Sequence, residues 1–294
     1  MEKTLIIGSH VSLSAPDYFL GSVKEALSYG SNALMIYTSA PQSSRRSDIN
    51  LFKVEEAQKL LKCNNIELKN VIVHAPYIVN PASFDIEKHK FAVEFLSEEL
   101  RRTEKIGAER LVVHPGAHMK MGSEAGVIYA AKTFNEIIEN TPNVKAKILI
   151  ETMSGKGTEV GITFSEVRGM IALIKDKSRI GVCLDTCHIN DYGYDISDFD
   201  AILEEFDKEI GLQYLECVHV NDSKNERGAR KDRHANIGFG YLGFDNLIKI
   251  IYHEKLANLP KILETPYVND KAPYKQEIEM IRNKKFNERL LDEF

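Results

Sequence analysis

The sequence predicts an α/β fold: a single (β/α)₈ TIM barrel that spans residues 1–294. Two observations support this prediction. Short apolar runs recur eight times along the chain, and segments with helical periodicity separate them. Most of the runs are continuously apolar, as expected for parallel strands that are buried on both faces. Eight alternations of strand and helix in about 290 residues are typical of a closed barrel.

The predicted strands are short and rich in β-branched residues. In chain order they are TLIIG (4–8), ALMIY (33–37), VIVH (71–74), RLVVH (110–114), KILIE (147–151), IGVCLD (180–185), YLECVH (214–219) and KILE (261–264). A doubly wound open sheet is the main alternative. The chain has no G-x-G-x-x-G after the first strand and no P-loop motif, so the usual evidence for that alternative is missing.

Three helices are predicted, two of them with a defined start. Apolar residues recur at three- and four-residue spacing over 86–106, 123–139 and 164–175. Asp85 would cap the first of these helices, and Thr163 with Glu166 forms a capping box before the third.

Composition and charge exclude some classes of protein. A hydrophobic content of 43% and a charged content of 28% are ordinary for a globular protein. The net charge of −5 argues against a chain that is basic overall, although bound metal ions would change that sum. No apolar run is long enough for a signal peptide or a membrane span, so we expect a soluble, cytoplasmic protein.

The four cysteines do not form a recognisable framework. They are Cys63, Cys183, Cys187 and Cys217. A disulfide network is not expected in an intracellular chain of this size, and a structural zinc site would need a second cysteine pair. We therefore expect all four to be small buried residues.

Residues that can bind a metal end six consecutive predicted strands. They are His74, His114, Glu151, Asp185, His219 and Glu264. A single histidine at a strand end is usually a hydrogen-bonded packing residue. However, the C-terminal ends of barrel strands surround one opening, so six such side chains would converge there. Buried charges need a partner or a metal, and this set therefore predicts a metal centre.

Three further candidate ligands lie just past the strands. His188 follows Asp185 by three residues, and Asp232 and His234 end a polar loop that starts at His219. Imidazole and carboxylate ligands favour zinc or manganese. Nine ligands are too many for one tetrahedral ion and suit two or three ions with a bridging carboxylate.

The other histidines are less informative. His89 and His253 fall on predicted helices and are interpreted as surface or packing residues. His118 lies in the loop after the fourth strand, where it could contact a substrate. His10 lies at the mouth of the first strand, where it could support the metal centre or the substrate.

Three long segments resemble the signature segments of the endonuclease IV family, the family-2 apurinic/apyrimidinic endonucleases. They are VHAPYIVNPAS (73–83), GVCLDTCHINDYGYD (181–195) and HVNDSKNERGARKDRHANIGFG (219–240). Matches to GSHVS, VVHPG, ILIETMSGKGTEVG and LETP occur in the same order, so the resemblance runs from about residue 6 to residue 270. It implies a monomeric DNA-repair enzyme that hydrolyses the phosphodiester 5′ to an abasic site in double-stranded DNA. The products are a 3′-hydroxyl and a 5′-deoxyribose phosphate, and the enzyme would also remove 3′-blocking groups.

The resemblance also implies three Zn²⁺ ions and assigns their ligands. The first ion would be held by His74, His114 and Glu151, and the third by His188, Asp232 and His234. Glu151 would bridge to the second ion, which Asp185, His219 and Glu264 complete. Glu151 and Glu264 are then the expected catalytic carboxylates. Three Zn²⁺ ions would bring the charge of the chain from −5 to +1, so its acidity does not exclude DNA.

Candidate DNA contacts come from three places. The resemblance implies that Tyr77 and Ile78 enter the DNA at the lesion. Gln42 is a further candidate, in a stretch, TSAPQSSRRS (38–47), that departs from the family's pattern. The basic residues of the polar loop would contact phosphates; they are Lys224, Arg227, Arg230, Lys231 and Arg233.

Two alternatives remain open at this stage. Metal-dependent sugar isomerases or epimerases share the barrel and place similar ligands at the strand ends, but they need fewer metals and no D-R-H loop. A non-catalytic protein that binds DNA damage on a degenerate barrel would be expected to lack some of the nine ligands.

Overall fold

Eight parallel strands close into a barrel in the computed structural model, which describes residues 4–294. The barrel strands are β1 Ile7–His10, β2 Ala33–Tyr37, β3 Val71–His74, β4 Arg110–Val113, β5 Lys147–Glu151, β6 Ile180–Asp185, β7 Leu215–His219 and β10 Lys261–Leu263. The order around the barrel follows the chain from β1 to β7, and β10 closes it between β7 and β1. The predicted TIM barrel is confirmed, and the open-sheet alternative is wrong.

Two short strands lie outside the barrel. They are β8 Asp222–Ser223 and β9 His234–Ala235, which pair antiparallel with Ser223 opposite His234. This pairing joins the two ends of the polar loop, because β8 follows closely on His219 and β9 begins at His234. The loop is therefore fixed at both ends.

Helices surround the barrel. They are α1 Tyr18–Ser28, α2 Val54–Cys63, α3 Ile86–Ile106, α4 Ser123–Asn140, α5 Phe164–Leu173, α6 Thr186–Tyr192, α7 Phe199–Glu209, α8 Phe244–Ile251 and α9 Tyr274–Asn283. Within residues 4–294, no helix combines the length and apolarity needed to span a bilayer.

The predicted helix ends are largely correct. α3 has the predicted bounds, and the Asp85 carboxylate accepts a hydrogen bond from the Lys88 N–H at 2.9 Å. α5 ends two residues early, because Ile174 has extended backbone angles. Only half of the predicted capping box forms there. Thr163 accepts from the Glu166 N–H at 3.1 Å, whereas the Glu166 carboxylate accepts from the backbone of Gly161 and Ile162.

The first strand lies later in the chain than predicted. It covers Ile7–His10 rather than 4–8, and Gly8 pairs with Ala33 on one side and Ile262 on the other. The Asn32 side chain binds the Ile7 N–H and the Leu5 carbonyl just before the strand. The shift places His10, rather than Gly8, at the end of the strand.

The barrel interior is a thin apolar layer that lies directly below the strand ends. It consists of Ala33, Met35, Ile72, Val112, Leu149, Cys183, Cys217 and Ile262. Side chains alternate along a strand, so a residue two positions after an interior residue faces the same way. Six of the predicted ligands stand in this relation to the layer; they are His74, His114, Glu151, Asp185, His219 and Glu264. The strand period thus aims all six into the mouth of the barrel.

Three of the four cysteines are buried as predicted, and one is not. Cys183, Cys187 and Cys217 are buried, whereas Cys63 is exposed. Cys63 is the last residue of α2, whose buried face is taken by Ala57 and Leu61. The prediction for Cys63 is wrong because its place on the helix turns it toward solvent.

We expect Gly8→Ala to damage the barrel itself. An added Cβ at Gly8 would lie 1.7 Å from the carbonyl oxygen of Ala33, and backbone atoms cannot move aside as a side chain can. The predicted cost is about 3 kcal/mol or more of the free energy of unfolding, at or above the upper end for overpacking. Urea denaturation followed by far-ultraviolet circular dichroism measures it.

Gly21→Ala in α1 is the matched control, because its Cβ would meet only the Asp17 side chain, at 3.3 Å. Alanine also favours helix over glycine, so this variant should be as stable as the parent. A Gly8→Ala protein with the parent's unfolding midpoint would contradict the close approach of β1 and β2.

Candidate metal centre

A cavity of 590 Å³ opens at the C-terminal ends of the barrel strands. Seven of the nine predicted ligands line it; they are His74, His114, Glu151, His188, Asp232, His234 and Glu264. The other two, Asp185 and His219, are fully buried and lie against residues of this set. The structure therefore brings all nine candidates together at one end of the barrel.

The Glu151 carboxylate lies at the centre of the group. Its Oε2 is 3.0 Å from His74 Nε2 and 3.1 Å from His114 Nε2. Its Oε1 is 3.0 Å from His219 Nδ1 and 3.6 Å from His188 Nδ1. One carboxylate thus faces four imidazoles, with one oxygen directed to each side, which is the arrangement that a bridging ligand needs.

A second set lies on the Oε1 side of Glu151. The ligand atoms of Glu151, Asp185, His219 and Glu264 all lie within 4.8 Å of one another. His219 Nδ1 is 3.1 Å from Glu264 Oε2 and 4.0 Å from Asp185 Oδ2. Three carboxylates and one imidazole could therefore share a metal ion at this point.

A third set forms where the polar loop returns to the barrel. Asp232 Oδ1 is 3.1 Å from His188 Nε2 and 3.6 Å from His234 Nε2. Asp185 also approaches, with Oδ2 4.0 Å from His234 Nε2. Asp185 thus lies between the second and third sets, a position that sequence spacing did not predict.

The pKa values of these groups reflect strong attraction between the imidazoles and the carboxylates. Burial alone would lower the pKa of the His188 imidazole, but the Asp185 and Asp232 carboxylates outweigh it and hold that pKa well above its usual value. Burial would likewise raise the pKa of the Glu151 carboxyl, yet His114 and His219 hold it well below its usual range. Positively charged neighbours therefore stabilise the charged form of the Glu151 carboxylate at the mouth of the barrel.

Two buried nitrogen atoms have no hydrogen-bond partner. They are Nε2 of His219 and Nε2 of His234, in residues that belong to the second and third sets. Buried polar atoms are normally satisfied, so His234 Nε2, which faces Asp185 and Asp232, fits a metal-ligating atom, whereas His219 faces its carboxylates with Nδ1 rather than with Nε2. Cys183, Cys217 and His219 also bring ligand atoms within 4.8 Å of one another. Two thiols therefore lie at the base of the centre.

The nitrogen and oxygen donors fit zinc. Imidazoles with carboxylates are a common zinc donor set, and the strand ends and the polar loop direct them at one cavity. The first and third sets each have three donors, which would leave a tetrahedral ion one position for a substrate oxygen, whereas the second set has four.

Asn221 holds two of the ligands in place. Its side-chain N–H groups donate to Asp185 Oδ2 at 2.7 Å and to Glu264 Oε2 at 3.2 Å, and its Oδ1 accepts from the Glu264 N–H at 2.8 Å. Sequence reasoning did not single out Asn221. The available signal was its place two residues after His219, in a polar segment that follows a strand.

Asp191, also missed, anchors the polar loop. Its buried carboxylate accepts from the Ser223 hydroxyl at 2.6 Å, from the Asn225 amide at 3.0 Å and from the Asp232 N–H at 2.9 Å. Its carbonyl accepts from the Arg230 N–H at 2.8 Å. Both Arg230 and Asp232 have positive φ, at 54° and 58°. Asp191 therefore stabilises an unfavourable backbone that places a candidate ligand.

The candidate DNA contacts lie around the mouth. Tyr77 lines the cavity and is 49% exposed, whereas Ile78 is half-buried and packs against the core. Gln42 is exposed in the loop after β2. All five basic side chains of the polar loop are exposed; within this set Arg227 pairs with Asp195, and Arg230 lies 5.1 Å over the Tyr192 ring.

The remaining histidines separate into two groups. The His10 ring contacts Tyr37, which in turn contacts His74, with ring centroids 5.1 Å and 4.9 Å apart. His10 thus lies behind the centre, with Tyr37 between it and His74. His118, His89 and His253 do not line the cavity; His89 pairs with Glu136, and His118 accepts from the Gly122 N–H in its own loop.

Comparison with known proteins places this chain in a family. Residues 23–284 match the family described as a xylose isomerase-like TIM barrel. A protein of Acholeplasma laidlawii named probable endonuclease 4 is 52% identical over 287 residues, which cover 97% of this chain and 98% of that protein.

Solved structures agree with the sequence relatives. Endonuclease IV from Thermus thermophilus superimposes with a TM-score of 0.83 at 26% identity, over 98% of this chain and 99% of that one. A D-tagatose 3-epimerase-like protein superimposes with a TM-score of 0.69 at 19% identity, over 95% and 96% of the two chains, and shows the shared fold alone. The chain therefore belongs to the endonuclease IV family of enzymes, as its sequence motifs predicted.

Proposed function

We propose that this chain is a zinc-dependent DNA-repair endonuclease that hydrolyses the phosphodiester 5′ to an abasic site. The products would be a 3′-hydroxyl and a 5′-deoxyribose phosphate. Membership of the endonuclease IV family supports a DNA-cleaving hydrolase. The observation that carries the finer proposal is the convergence of nine histidine, aspartate and glutamate side chains around one cavity.

The proposed centre holds three ions. His74, His114 and Glu151 hold the first ion, and Glu151 with Asp185, His219 and Glu264 holds the second. His188, Asp232 and His234 hold the third. The 4.8 Å clustering of the ligand atoms supports the first two sets, and the two contacts of Asp232 Oδ1 support the third.

Clustered zinc ions, when bound, supply an attacking nucleophile at neutral pH and neutralise the phosphate and leaving oxygens. The side chains of the protein hold the ligand sets and the reacting groups in position. Glu151 directs one oxygen toward His74 and the other toward His219, so it fixes the spacing of the first two sets. Glu264 Oε2 approaches the same atom, His219 Nδ1, as Glu151 Oε1 does, and Glu264 also lines the cavity, so it would orient the reacting groups together with Glu151. These two are the proposed catalytic carboxylates.

The abasic nucleotide is the proposed determinant of substrate choice. Tyr77 projects from the cavity wall, and an aromatic face can take the place of a missing base in the stack. Ile78 backs this tyrosine from the core, and Gln42 contacts the same DNA from the loop after β2. Lys224, Arg227, Arg230 and Arg233, with Lys231, contact phosphates along the strand.

We also propose the oligomeric state, the location and the substrate of the enzyme. Residues 1–294 act as one domain and as a monomer in the cytoplasm, on double-stranded DNA. The same cavity would remove blocking groups from 3′ ends, because that reaction also hydrolyses a phosphate ester of a terminal deoxyribose.

Glu151→Gln tests the centre directly. On a duplex with one tetrahydrofuran abasic analogue, without added Mg²⁺, we expect the parent to cut on the 5′ side of the analogue. The kcat of the variant should fall about a thousandfold or more, because glutamine lacks the negative charge with which Glu151 would serve both the first and the second set of ligands. Glu139→Gln, which alters an exposed carboxylate paired with Lys175, is the matched control.

If no incision is seen, the metal content of the same samples shows how that result is to be interpreted. A parent protein that carries about three zinc ions and makes no incision would contradict the proposal. A metal-poor preparation would be reconstituted with zinc and assayed again. Incision that continues in Glu151→Gln would remove the bridging carboxylate from the mechanism.

Tyr77→Ala tests recognition of the missing base. We expect its affinity for the abasic duplex to fall about tenfold to a hundredfold, since base–aromatic stacking contributes about 1–3 kcal/mol. Tyr77→Phe keeps the ring and should bind as the parent does. Fluorescence anisotropy with abasic and undamaged duplexes measures both; an equal loss on the two duplexes would show that Tyr77 does not read the lesion.

Asp191→Asn tests the anchoring of the polar loop. An amide cannot accept from Asp232, Ser223 and Asn225 as the carboxylate does, so Asp232 should leave its place beside His188. We expect the bound metal to fall by about one ion per chain and the overall fold to persist. Asp200→Asn, in an exposed carboxylate of α7 that pairs with His253 and not with the polar loop, is the control. Unchanged metal content in Asp191→Asn, measured by plasma mass spectrometry, would contradict this role.

A further inference from the structure

Lys156 is the only lysine or arginine among the residues that line the cavity, all of which lie in the described part of the chain. It belongs to the loop after β5, between Gly155 and Gly157, whose φ angles are 81° and 63°. Its side chain is 56% exposed, and Nζ lies 3.1 Å from Asp232 Oδ2. The basic side chains of the polar loop, by contrast, do not line the cavity.

The backbone around Lys156 is held firmly. Glu159 Oε2 accepts from the Lys156 N–H at 2.8 Å and from the Ser154 hydroxyl at 3.1 Å. The Thr158 carbonyl accepts from the His118 N–H at 2.8 Å, which ties this loop to the loop after β4. The base of the side chain is therefore fixed, while its four-carbon stem stays free to change direction.

The contact between Lys156 and Asp232 is easily exchanged. Asp232 Oδ1 faces His188 and His234, so Lys156 takes only the outer oxygen, Oδ2. An ion pair with a half-exposed lysine contributes little free energy, about 0–1 kcal/mol. A phosphate oxygen that enters the cavity can replace Asp232 as the partner of the Lys156 ammonium. Little free energy is lost with the Asp232 contact.

We propose that Lys156 is a substrate-binding residue whose Nζ leaves Asp232 and binds a non-bridging oxygen of a DNA phosphate at or next to the abasic nucleotide. This inference rests on the proposed function and adds a residue to it. The cavity wall otherwise presents histidines, carboxylates and neutral groups, so Lys156 is the one permanent cation of the described chain that an anionic backbone meets inside the mouth.

Lys156→Gln removes the charge and keeps most of the length. We expect kcat/KM on the tetrahydrofuran duplex to fall about tenfold to a hundredfold, mainly through KM, as for the loss of one charge-assisted hydrogen bond. Lys156→Arg should recover most of the loss. Lys208→Gln, an exposed lysine of α7, is the matched control and should behave as the parent. The metal content should be the same in all four proteins.

A neutral methylphosphonate placed at single positions of the cut strand identifies the contact. At the phosphate that Lys156 binds, the substitution should weaken binding by the parent but cause no further loss in Lys156→Gln. The slope of log affinity against log salt should also fall by about 0.9 in Lys156→Gln. Both readouts use fluorescence anisotropy, so they do not require incision.

The outcomes separate this inference from the function on which it rests. A parent that binds the duplex but does not cut it would overturn the proposed function, and the methylphosphonate data would still decide the role of Lys156. Unchanged affinity and kcat/KM in Lys156→Gln would overturn the inference. So would a fall in metal content in that variant, because Lys156 would then act by holding Asp232.

Discussion

The structure depends on one electrostatic constraint: the carboxylates of four candidate ligands converge on the mouth of the barrel, and two of them, Glu151 and Asp185, are buried. Together with Glu264 they place oxygen atoms within 4.8 Å of one another. Like charges at that distance in a protein interior repel strongly, and isolated buried carboxylates are costly. Five imidazoles surround them, and the raised pKa of His188 shows that positive charge at this mouth offsets the repulsion.

The barrel meets this constraint through regular geometry rather than through special loops. Side chains two residues apart on a strand share a face, so an apolar interior layer carries the polar layer immediately above it. Asn221 then joins Asp185 to Glu264, and the order of β5, β6 and β7 around the barrel sets Glu151 beside His219. Candidate ligands at strand ends are held in place by the same hydrogen bonds that close the barrel.

The third set of ligands is held differently. Asp232 and His234 arrive on a long polar segment, and their positions depend on a short antiparallel pairing and on the buried Asp191. Positive φ angles at Arg230 and Asp232 show that the segment is not in its lowest-energy local conformation. This part of the centre therefore depends on side-chain anchors, whereas the first two sets depend mainly on the barrel strands.

The sequence by itself determined the strand–helix alternation, the six candidate ligands at strand ends and the family, because each is encoded in local periodicity or in contiguous motifs. It misplaced β1, because apolar residues before a strand have the same pattern as the strand itself. Only the tertiary structure decided which contacts Lys156, Asp191 and Asn221 make. Their contacts join residues far apart in the chain: Lys156 and Asp232 are 76 positions apart, and Asp191 and Asp232 are 41. Such contacts are set by how strands pair around a closed barrel, which no local pattern specifies.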